Sequence, residues 1–320
     1  MQVSIEKPPE RQHRAPARRV PRRPALHVMR SPLVLVPFCV LLLSPVIPVS
    51  AWLYFSDGGK EPEAFPFDGK PFVDDGAELP DAKAMAKLAE KDPVAFLENC
   101  LRRYQRDVKG YTCIMQKQER TGEMLQPTEV IAVSFREKPF SARLRWQDGA
   151  RLADAALYID GENQEKDKNG NDKSMMICHP AGIAGKLVKF VSRDPEGEEA
   201  RQSGRYSLPQ FGIEKGTQRT LAAWKAARAK GELRVEYLGE VKVKEADDRP
   251  CYKFRRPKYA KPEEDGVTDL IIYIDKETWL QVGSVLKGDK GQYIAQYFFR
   301  DIKVNPDFKA DAFSKEALTK

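Results

Sequence analysis

The chain has 320 residues, with 54 Lys and Arg against 47 Asp and Glu, for a net charge of +7. Residues 1–30 hold eight basic and two acidic residues and so contribute +6, residues 31–55 hold no charge, and the rest of the chain is left with +1. A body this close to neutral has no basic stripe, which argues against a nucleic-acid partner.

Residues 33–55 read LVLVPFCVLLLSPVIPVSAWLYF, without one charged side chain. A run of about 20 apolar residues matches the hydrocarbon core of a bilayer. Arg11, Arg14, Arg18, Arg19, Arg22, Arg23 and Arg30 precede it, and Ser56, Asp57 and Gly58 follow. Positive charge stays on the cytoplasmic side. Residues 1–30 are therefore expected to be a basic cytoplasmic leader and 31–55 a transmembrane anchor or signal segment. The C-terminal part is then expected outside the cytoplasm, in the periplasm. Val49, Ser50 and Ala51 offer a signal peptidase the small residues it prefers. The aromatics Trp52, Tyr54 and Phe55 suit a membrane–water interface and favour an anchor left in place. Both readings export the body. Residues 56–80 carry Gly58, Gly59, Pro62, Pro66, Gly69 and Pro71 among acids, the composition of a flexible linker. Residues 81–320 are expected to fold as one extracytoplasmic domain.

In that body, Asp81 caps a short helix whose apolar side is Ala82, Met85, Leu88 and Ala89. Asp92-Pro93 opens a second helix over 93–108, with Val94, Leu97, Leu101, Tyr104 and Val108 as one stripe and Gly110 at its end. From Tyr111 the period changes to two, predicting strands at 111–120, 128–136, 140–147, 155–163 and 173–179. Asn169-Gly170 marks a hairpin turn between the last two. Residues 181–216 read as irregular. Thr217 is the expected cap of an alanine-rich helix that ends at Gly231 and turns Leu221 and Trp224 inward. Strands resume at 232–244, 249–256, 268–275, 278–287 and 291–304, and Ser314–Leu318 form a closing turn.

Consecutive strands joined by short turns predict a large curved antiparallel sheet, of the α+β class, with helices covering part of it. Strand 232–244 alternates cleanly, with Leu233, Val235, Tyr237, Val241 and Val243 facing away from Arg234, Glu236, Glu240 and Lys242. Strands 270–274, 279–286 and 293–299 are apolar on both faces, so part of the sheet is shielded on both sides. Packed helices would do this, and so would an enclosed apolar cavity.

Catalytic chemistry is sparsely represented. His179 is the sole histidine beyond the leader, and no Gly-x-Ser-x-Gly elbow accompanies it. The stretch Gly182-Ile183-Ala184-Gly185-Lys186 is too short between its glycines for a phosphate loop. Asp167–Asp172 begins like a calcium loop, but Cys178 stands where the last carboxylate ligand belongs. No enzyme activity, cofactor or metal is expected. Cys100, Cys113, Cys178 and Cys251 lie in the exported part, where disulfides are permitted. Cys100, counted back from the helix end, and Cys113, counted into the next strand, lie at about the same height, at ~1.5 and ~3.3 Å per residue. A Cys100–Cys113 bridge and free buried thiols both remain open.

Three stretches resemble an uncharacterised bacterial envelope family that is itself similar to the lipoprotein-carrier superfamily of LolA, LolB and RseB. The first runs from Tyr111-Thr112-Cys113 through Gln116–Arg120 to Arg136-Glu137-Lys138-Pro139-Phe140-Ser141. The second is Tyr273–Leu280, with Asp275 and Thr278 in an Asp-x-x-Thr hairpin. The third is Tyr297–Asp307, with Phe299, Asp301, Ile302 and Asn305 in a closing Phe-x-Asp-Ile-x-x-Asn strand, followed by Asp311-Ala312-Phe313-Ser314. The resemblance spans most of residues 90–316. It implies a half-open barrel with helices on its concave side and an apolar cavity between them.

Together these readings lead to a membrane-anchored binding protein that holds a lipid, an acyl chain or a lipoprotein segment. Residues 33–55 are its expected membrane contact. Ile131, Val133, Phe135, Ile272, Ile274, Trp279 and Phe298 are the candidate cavity residues. The alternative is an envelope regulator or scaffold that binds a protein partner and encloses no small ligand. A cavity filled by the protein's own side chains would favour that alternative.

Overall fold

The computed structural model describes residues 71–257, 259 and 266–319. The basic leader, the apolar run 33–55 and most of the linker lie outside the described residues. Among the described residues no helix is long and apolar enough to cross a membrane.

Two capped helices open the body. The Asp81 carboxylate accepts the Ala84 N–H at 2.7 Å and starts α1 (Ala82–Lys91). The Asp92 carboxylate accepts the Ala95 N–H at 3.0 Å and, with Pro93 in the first turn, starts α2 (Pro93–Asp107). Gly110 does not end α2; the cap is Val108, and Gly110 already belongs to the next strand. The last ten residues of the expected linker are fixed to α2. Arg106 pairs with Asp74 at 2.6 Å, Arg102 pairs with Asp75 at 2.7 Å, and Phe72 and Leu79 pack against the core.

The strands before the middle of the chain are β1 (Gly110–Thr121), β2 (Met124–Leu125), β3 (Glu129–Arg136), β4 (Ser141–Asp148), β5 (Ala153–Ile159), β6 (Gln164–Lys166), β7 (Asp172–Ser174) and β8 (Met176–Pro180). The single strand expected at 173–179 is divided. β7 pairs with β6 in a separate ribbon around the Asn169-Gly170 turn, and β8 joins the main sheet. Positive φ at Gly161 and Asn163 turns the chain out of β5 before the expected end. Residues 181–216 hold more order than the sequence suggests: α3 (Gly182–Leu187), β9 (Val191–Arg193) and α4 (Glu198–Ser203).

The alanine-rich helix, α5 (Ile213–Ala229), begins a turn before Thr217. Thr217 is buried inside it and donates its hydroxyl back to the Ile213 carbonyl at 2.9 Å. The start is set by Gly212, at φ +120°, where a Cβ would lie 3.3 Å from the Phe135 ring. Only glycine combines that backbone angle with so close an approach. The remaining strands are β10 (Glu236–Val243), β11 (Arg249–Arg256), β12 (Asp269–Asp275), β13 (Gln281–Lys287) and β14 (Tyr293–Val304).

Among the described residues twelve strands form one antiparallel sheet in the order β10-β11-β12-β13-β14-β1-β3-β4-β5-β8-β9, with β2 beside β1. β10 and β9 stand at its two ends and are not paired with each other, so the sheet is not closed. The C-terminal strand β14 therefore sits in the middle, against β1. Paired residues share a face of a pleated sheet. One face can be followed across six strands through Phe254, Ile272, Ser284, Tyr297, Lys117 and Glu129. The other runs through Tyr273, Gly283, Phe298, Gln116 and Val130.

Helices α2 and α5 cover the first face at the β11–β13 end. Phe96 of α2 meets Tyr252 at 5.1 Å and Phe254 at 4.9 Å, and Trp224 of α5 meets Phe254 at 6.2 Å between ring centroids. At the β5–β8 end, Phe313 and Leu318 of the C-terminal segment cover Ala155, Leu157, Ile159 and Ile177. The helical shield covers one face of β12, one of the strands read as apolar on both faces, whereas the C-terminal segment covers β5 and β8, which are not among them.

The family-like motifs act as clips. Asp275 is fully buried; its Oδ1 accepts the N–H and the hydroxyl of Thr278, each at 2.7 Å, and its Oδ2 accepts from Arg249 at 2.6 Å. This fixes a turn in which Trp279 takes φ +60°, so residues 278–280 precede β13 instead of forming part of it. Burial alone would raise the Asp275 pKa, but Arg249 and Thr278 outweigh it and hold the carboxyl below its ordinary value. Asn305 accepts the Lys109 N–H at 2.7 Å and donates to the Asp107 carbonyl at 2.7 Å, tying the end of β14 to the α2–β1 junction.

Candidate functional site

The odd positions of β1 face the helices: Tyr111, Cys113 and Met115, then Lys117 and Glu119. All five are buried, the last two at 7% and 6% exposure. Opposite Lys117 in register stands Glu129, at 4% exposure. Three charges on a buried face require partners, because an unpaired ion away from water costs several kcal/mol. The partners are present. Lys117 Nζ lies 3.5 Å from both Glu119 and Glu129. Tyr297, across from Lys117, donates its hydroxyl to Glu119 at 2.6 Å. Trp146 donates its indole N–H to Glu129 at 2.5 Å, and Arg151 pairs with Glu129 at 3.2 Å. Burial and the neighbouring Glu119 push the Tyr297 phenol well above its usual range, so it stays a neutral donor.

A strap made by α4 and the chain up to α5 closes this floor. The carbonyl of Ser203 accepts from Lys117 at 3.0 Å and from Arg151 at 3.3 Å. Tyr206 lies 6.1 Å from Tyr297, with the Arg219 guanidinium 3.9 Å from the Tyr206 ring centre. Leu208 and Phe211 then pack on the apolar floor, Phe211 at 6.2 Å from Phe135. Where the strap meets α5, the Ile213 N–H donates to the Tyr111 hydroxyl at 3.2 Å.

The seven candidate cavity residues divide between two core clusters. Ile131, Val133 and Phe135 lie on the floor beneath the strap and the start of α5. Ile272, Ile274 and Trp279 form the core under α1, α2 and α5 with Phe96, Leu221 and Trp224, and Arg103 lies 4.7 Å from the Trp279 ring centre. Phe298 belongs to the same cluster as Ile131, Val133 and Phe135 but stands on the opposite face of its strand, 5.9 Å from Tyr273 and over Gly283, where a Cβ would come within 2.7 Å of the Phe298 ring. Four of the seven thus pack in one cluster and three in another. Register sets Phe298 apart: it pairs with Gln116, one residue out of phase with the Lys117 face.

Cys100 and Cys113 are free thiols in different core clusters. Matching height along helix and strand does not bring them together, because Cys100 points among the α1–α2–α5 side chains and Cys113 pairs across from Val133. Burial pushes both thiols well above the ordinary value, Cys178 up to about 11 and Cys251 up to about 12. His179 lies on the second face, its Nδ1 3.8 Å from Asp154, away from the Lys117 floor. Among the described residues no group of three His, Cys, Asp or Glu converges as a metal site would require. An open, polar cleft of about 340 Å³ lies beside the β6–β7 ribbon, lined in part by Tyr158, Gln164, Lys173 and Glu196.

Lys117, Glu119, Glu129 and Arg151 were missed as a cluster from sequence. The signal was present in the alternation: two charges at the odd positions of a strand whose other odd positions are Tyr111, Cys113 and Met115.

An open antiparallel sheet with helices and a strap across one face defines a class of architecture. Within it, the chain belongs to the family described as "Protein of unknown function (DUF1571)", whose model matches residues 108–317. The reading of an uncharacterised family from Tyr111 onward thus holds. Solved structures returned by comparison include the Pseudomonas aeruginosa MucA/MucB complex, at 16% identity and a TM-score of 0.40, covering 69% of this chain and 60% of that one. The chain thus spans less than two thirds of that relative's length. A LolA superfamily protein from Nitrosomonas europaea matches at 6% identity and 0.28, covering 69% and 99%. The Mycobacterium tuberculosis lipoprotein LppX matches at 8% and 0.36, covering 68% and 99%. A search of curated proteins gave no match.

Proposed function

We propose that this chain is a membrane-anchored extracytoplasmic binding protein, without catalytic activity, that engages a protein or lipoprotein segment. One observation carries the choice of partner. The face where an acyl chain would lie is filled by the protein itself: Phe211 and Leu208 of the strap, Ile213, Leu221 and Trp224 of α5. A half-open barrel around α5 packed in this way has its own side chains where a carrier would hold its cargo.

A second reading, carriage of a lipid or acyl chain against Ile131, Val133 and Phe135, is favoured by the polar character of the closure. The strap is held at Lys117 and Arg151 by one backbone carbonyl, and hydrogen bonds from charged donors of that kind exchange with water at a net cost of about 1.5–3 kcal/mol each. Native mass spectrometry of the full chain, extracted from membranes in mild detergent, separates the two. A bare protein mass together with a protein crosslinked in intact envelopes supports the partner reading. A lipid-sized added mass that disappears in Phe135→Glu while the fold persists would replace it with carriage.

A further inference from the structure

Helix α3 is built the wrong way round for a solvated surface helix. A helical surface segment normally turns its apolar side chains to the core and its small or polar ones outward. In α3 the residue against the sheet is Gly185: a Cβ there would stand 2.2 Å from the Pro180 carbonyl oxygen and 2.8 Å from the His179 ring. Two residues either side, about half a helical turn around the axis, are Ile183 and Leu187. Their exposures are 76% and 81%, and Val188 adds 48%. Leu152, at 40%, adjoins them, since its carbonyl accepts the N–H of Ala181 just before the helix. Glycine thus pins the segment to β8 and holds its largest apolar side chains in water. Exposed apolar groups gathered in this way mark a contact surface.

The charge carried by the segment itself is of one sign. Residues 182–193 contain Lys186, Lys189 and Arg193 and no acid. Arg193 is paired with Glu199. Lys186 and Lys189 lie beside the apolar groups, and Lys315 joins Lys189 around the Phe190 ring, at 4.9 and 5.5 Å from its centre. The carboxylates of neighbouring strands are engaged: Asp154 lies 3.8 Å from His179, and Glu165 accepts the Ser192 hydroxyl at 2.7 Å. Apolar side chains pointing outward between lysines match a lipid headgroup region of negative charge.

The chain outside the described residues brings such a surface within reach. Fifteen residues separate Phe55, the end of the apolar run, from Pro71. They span at most about 55 Å. A folded body of this size has a radius of gyration of about 18 Å, so a point on any side can reach the bilayer.

We propose that α3 and its flanks form a membrane-docking surface, in which Ile183, Leu187, Val188 and Leu152 enter the interface of an anionic bilayer and Lys186, Lys189 and Lys315 meet its headgroups. The proposal rests on the reading that residues 33–55 anchor the chain, and the test treats the two separately. The full chain, with Cys39→Ser, carries one environment-sensitive label at Ile183→Cys or, as control, at Leu238→Cys on the far edge strand. The buried native thiols of high pKa leave labelling to the introduced cysteine. The chain is reconstituted with vesicles of phosphatidylcholine and phosphatidylglycerol containing a nitroxide-labelled lipid, and flotation in alkaline carbonate reports anchoring independently.

The label at position 183 is expected to be quenched several-fold more than that at 238. In Lys186→Glu/Lys189→Glu the difference should collapse, since each lysine contributes about a fivefold gain at an anionic surface. Equal quenching at 183 and 238 overturns the docking surface, whether or not the protein floats. Quenching at 183 without alkaline-resistant flotation supports the docking surface and removes the anchor. Protection of 183 by a crosslinked protein in intact envelopes, with no quenching by lipid, overturns the proposal in favour of a protein-binding face.

Discussion

Two regions of one sheet face are closed by different physical means. Under α2 and α5 the contact is aromatic and aliphatic, with Phe96, Trp224, Phe254, Ile272 and Ile274 all fully buried. Under the strap, the same face carries Lys117, Glu119 and Glu129, and the cover is a backbone carbonyl with a few partly buried rings. The first closure draws its strength from apolar area removed from water; the second depends on every buried charge keeping its partner. The helix-covered region is thus expected to set stability, and the strap-covered region to be the part that rearranges.

The largest test is Trp224→Ala. A cavity of that size under α5 should lower stability by about 3–5 kcal/mol, read from denaturant unfolding of the chain. Next, Lys117→Met leaves Glu119 and Glu129 with fewer counter-charges and should cost about 3 kcal/mol. The triple change Lys117→Met, Glu119→Gln and Glu129→Gln should recover most of it, because no buried ion then lacks its partner. A triple variant as unstable as the single one would break the comparison by making the charges net stabilisers.

Glu137 offers a pH test where the two regions meet. Its carboxyl accepts the Tyr104 hydroxyl at 2.6 Å. Burial raises its pKa above the ordinary value, more than the Tyr104 bond lowers it. A carboxyl raised in the folded state contributes stability fully below its unfolded pKa of about 4.3 and loses it as pH rises through the raised folded value. Glu137→Gln should therefore be more stable than the wild type at neutral pH, and the gain should vanish in acid. A gain that persists below the unfolded pKa would assign it to packing.

The smallest effect concerns order. Amides of 203–211 should lose hydrogen-exchange protection before those of α5, by local opening that leaves the core intact. Gly204→Ala, whose Cβ would lie 3.4 Å from Lys117 Nζ and 3.5 Å from Glu119, should shift stability by less than about 0.5 kcal/mol. Simultaneous exchange of strap and helix would mean that the two closures open as one.

Local signals were legible where local chemistry decides. Asp81 and Asp92 announce α1 and α2 because a carboxylate satisfies the free N–H groups of the first turn. Alternation in β4 shows through because one face is wet. In the strand expected at 232–244 it misled: β10 starts only at Glu236, and the register shift between Tyr237 and Glu240 sets Tyr237 opposite Phe254 but Val241 opposite Cys251, so side chains read as one apolar face divide between two. α5 misled, because Thr217 resembles a cap while Gly212 sets the start by a contact with Phe135, a residue far away in sequence. Phe298 misled for a similar reason. Its face depends on the β1–β14 register, which is not written within β14. The Asp275 and Asn305 motifs stood out in the sequence, and in the structure they hold turns and chain ends.

The placement of β14 has a consequence for how the molecule is made. Lys117 pairs with Tyr297, so the middle of the sheet joins residues 180 positions apart. Until β14 arrives, β1 has an open edge beside Met115 and Cys113, and β13 has another. Pairings this distant in sequence form slowly, and unpaired edges are prone to aggregate. A chain emerging N-terminus first cannot complete its central ladder until nearly all of it has been delivered. Truncation before Tyr293 should therefore yield two unpaired half-sheets, with the loss spread across the whole body.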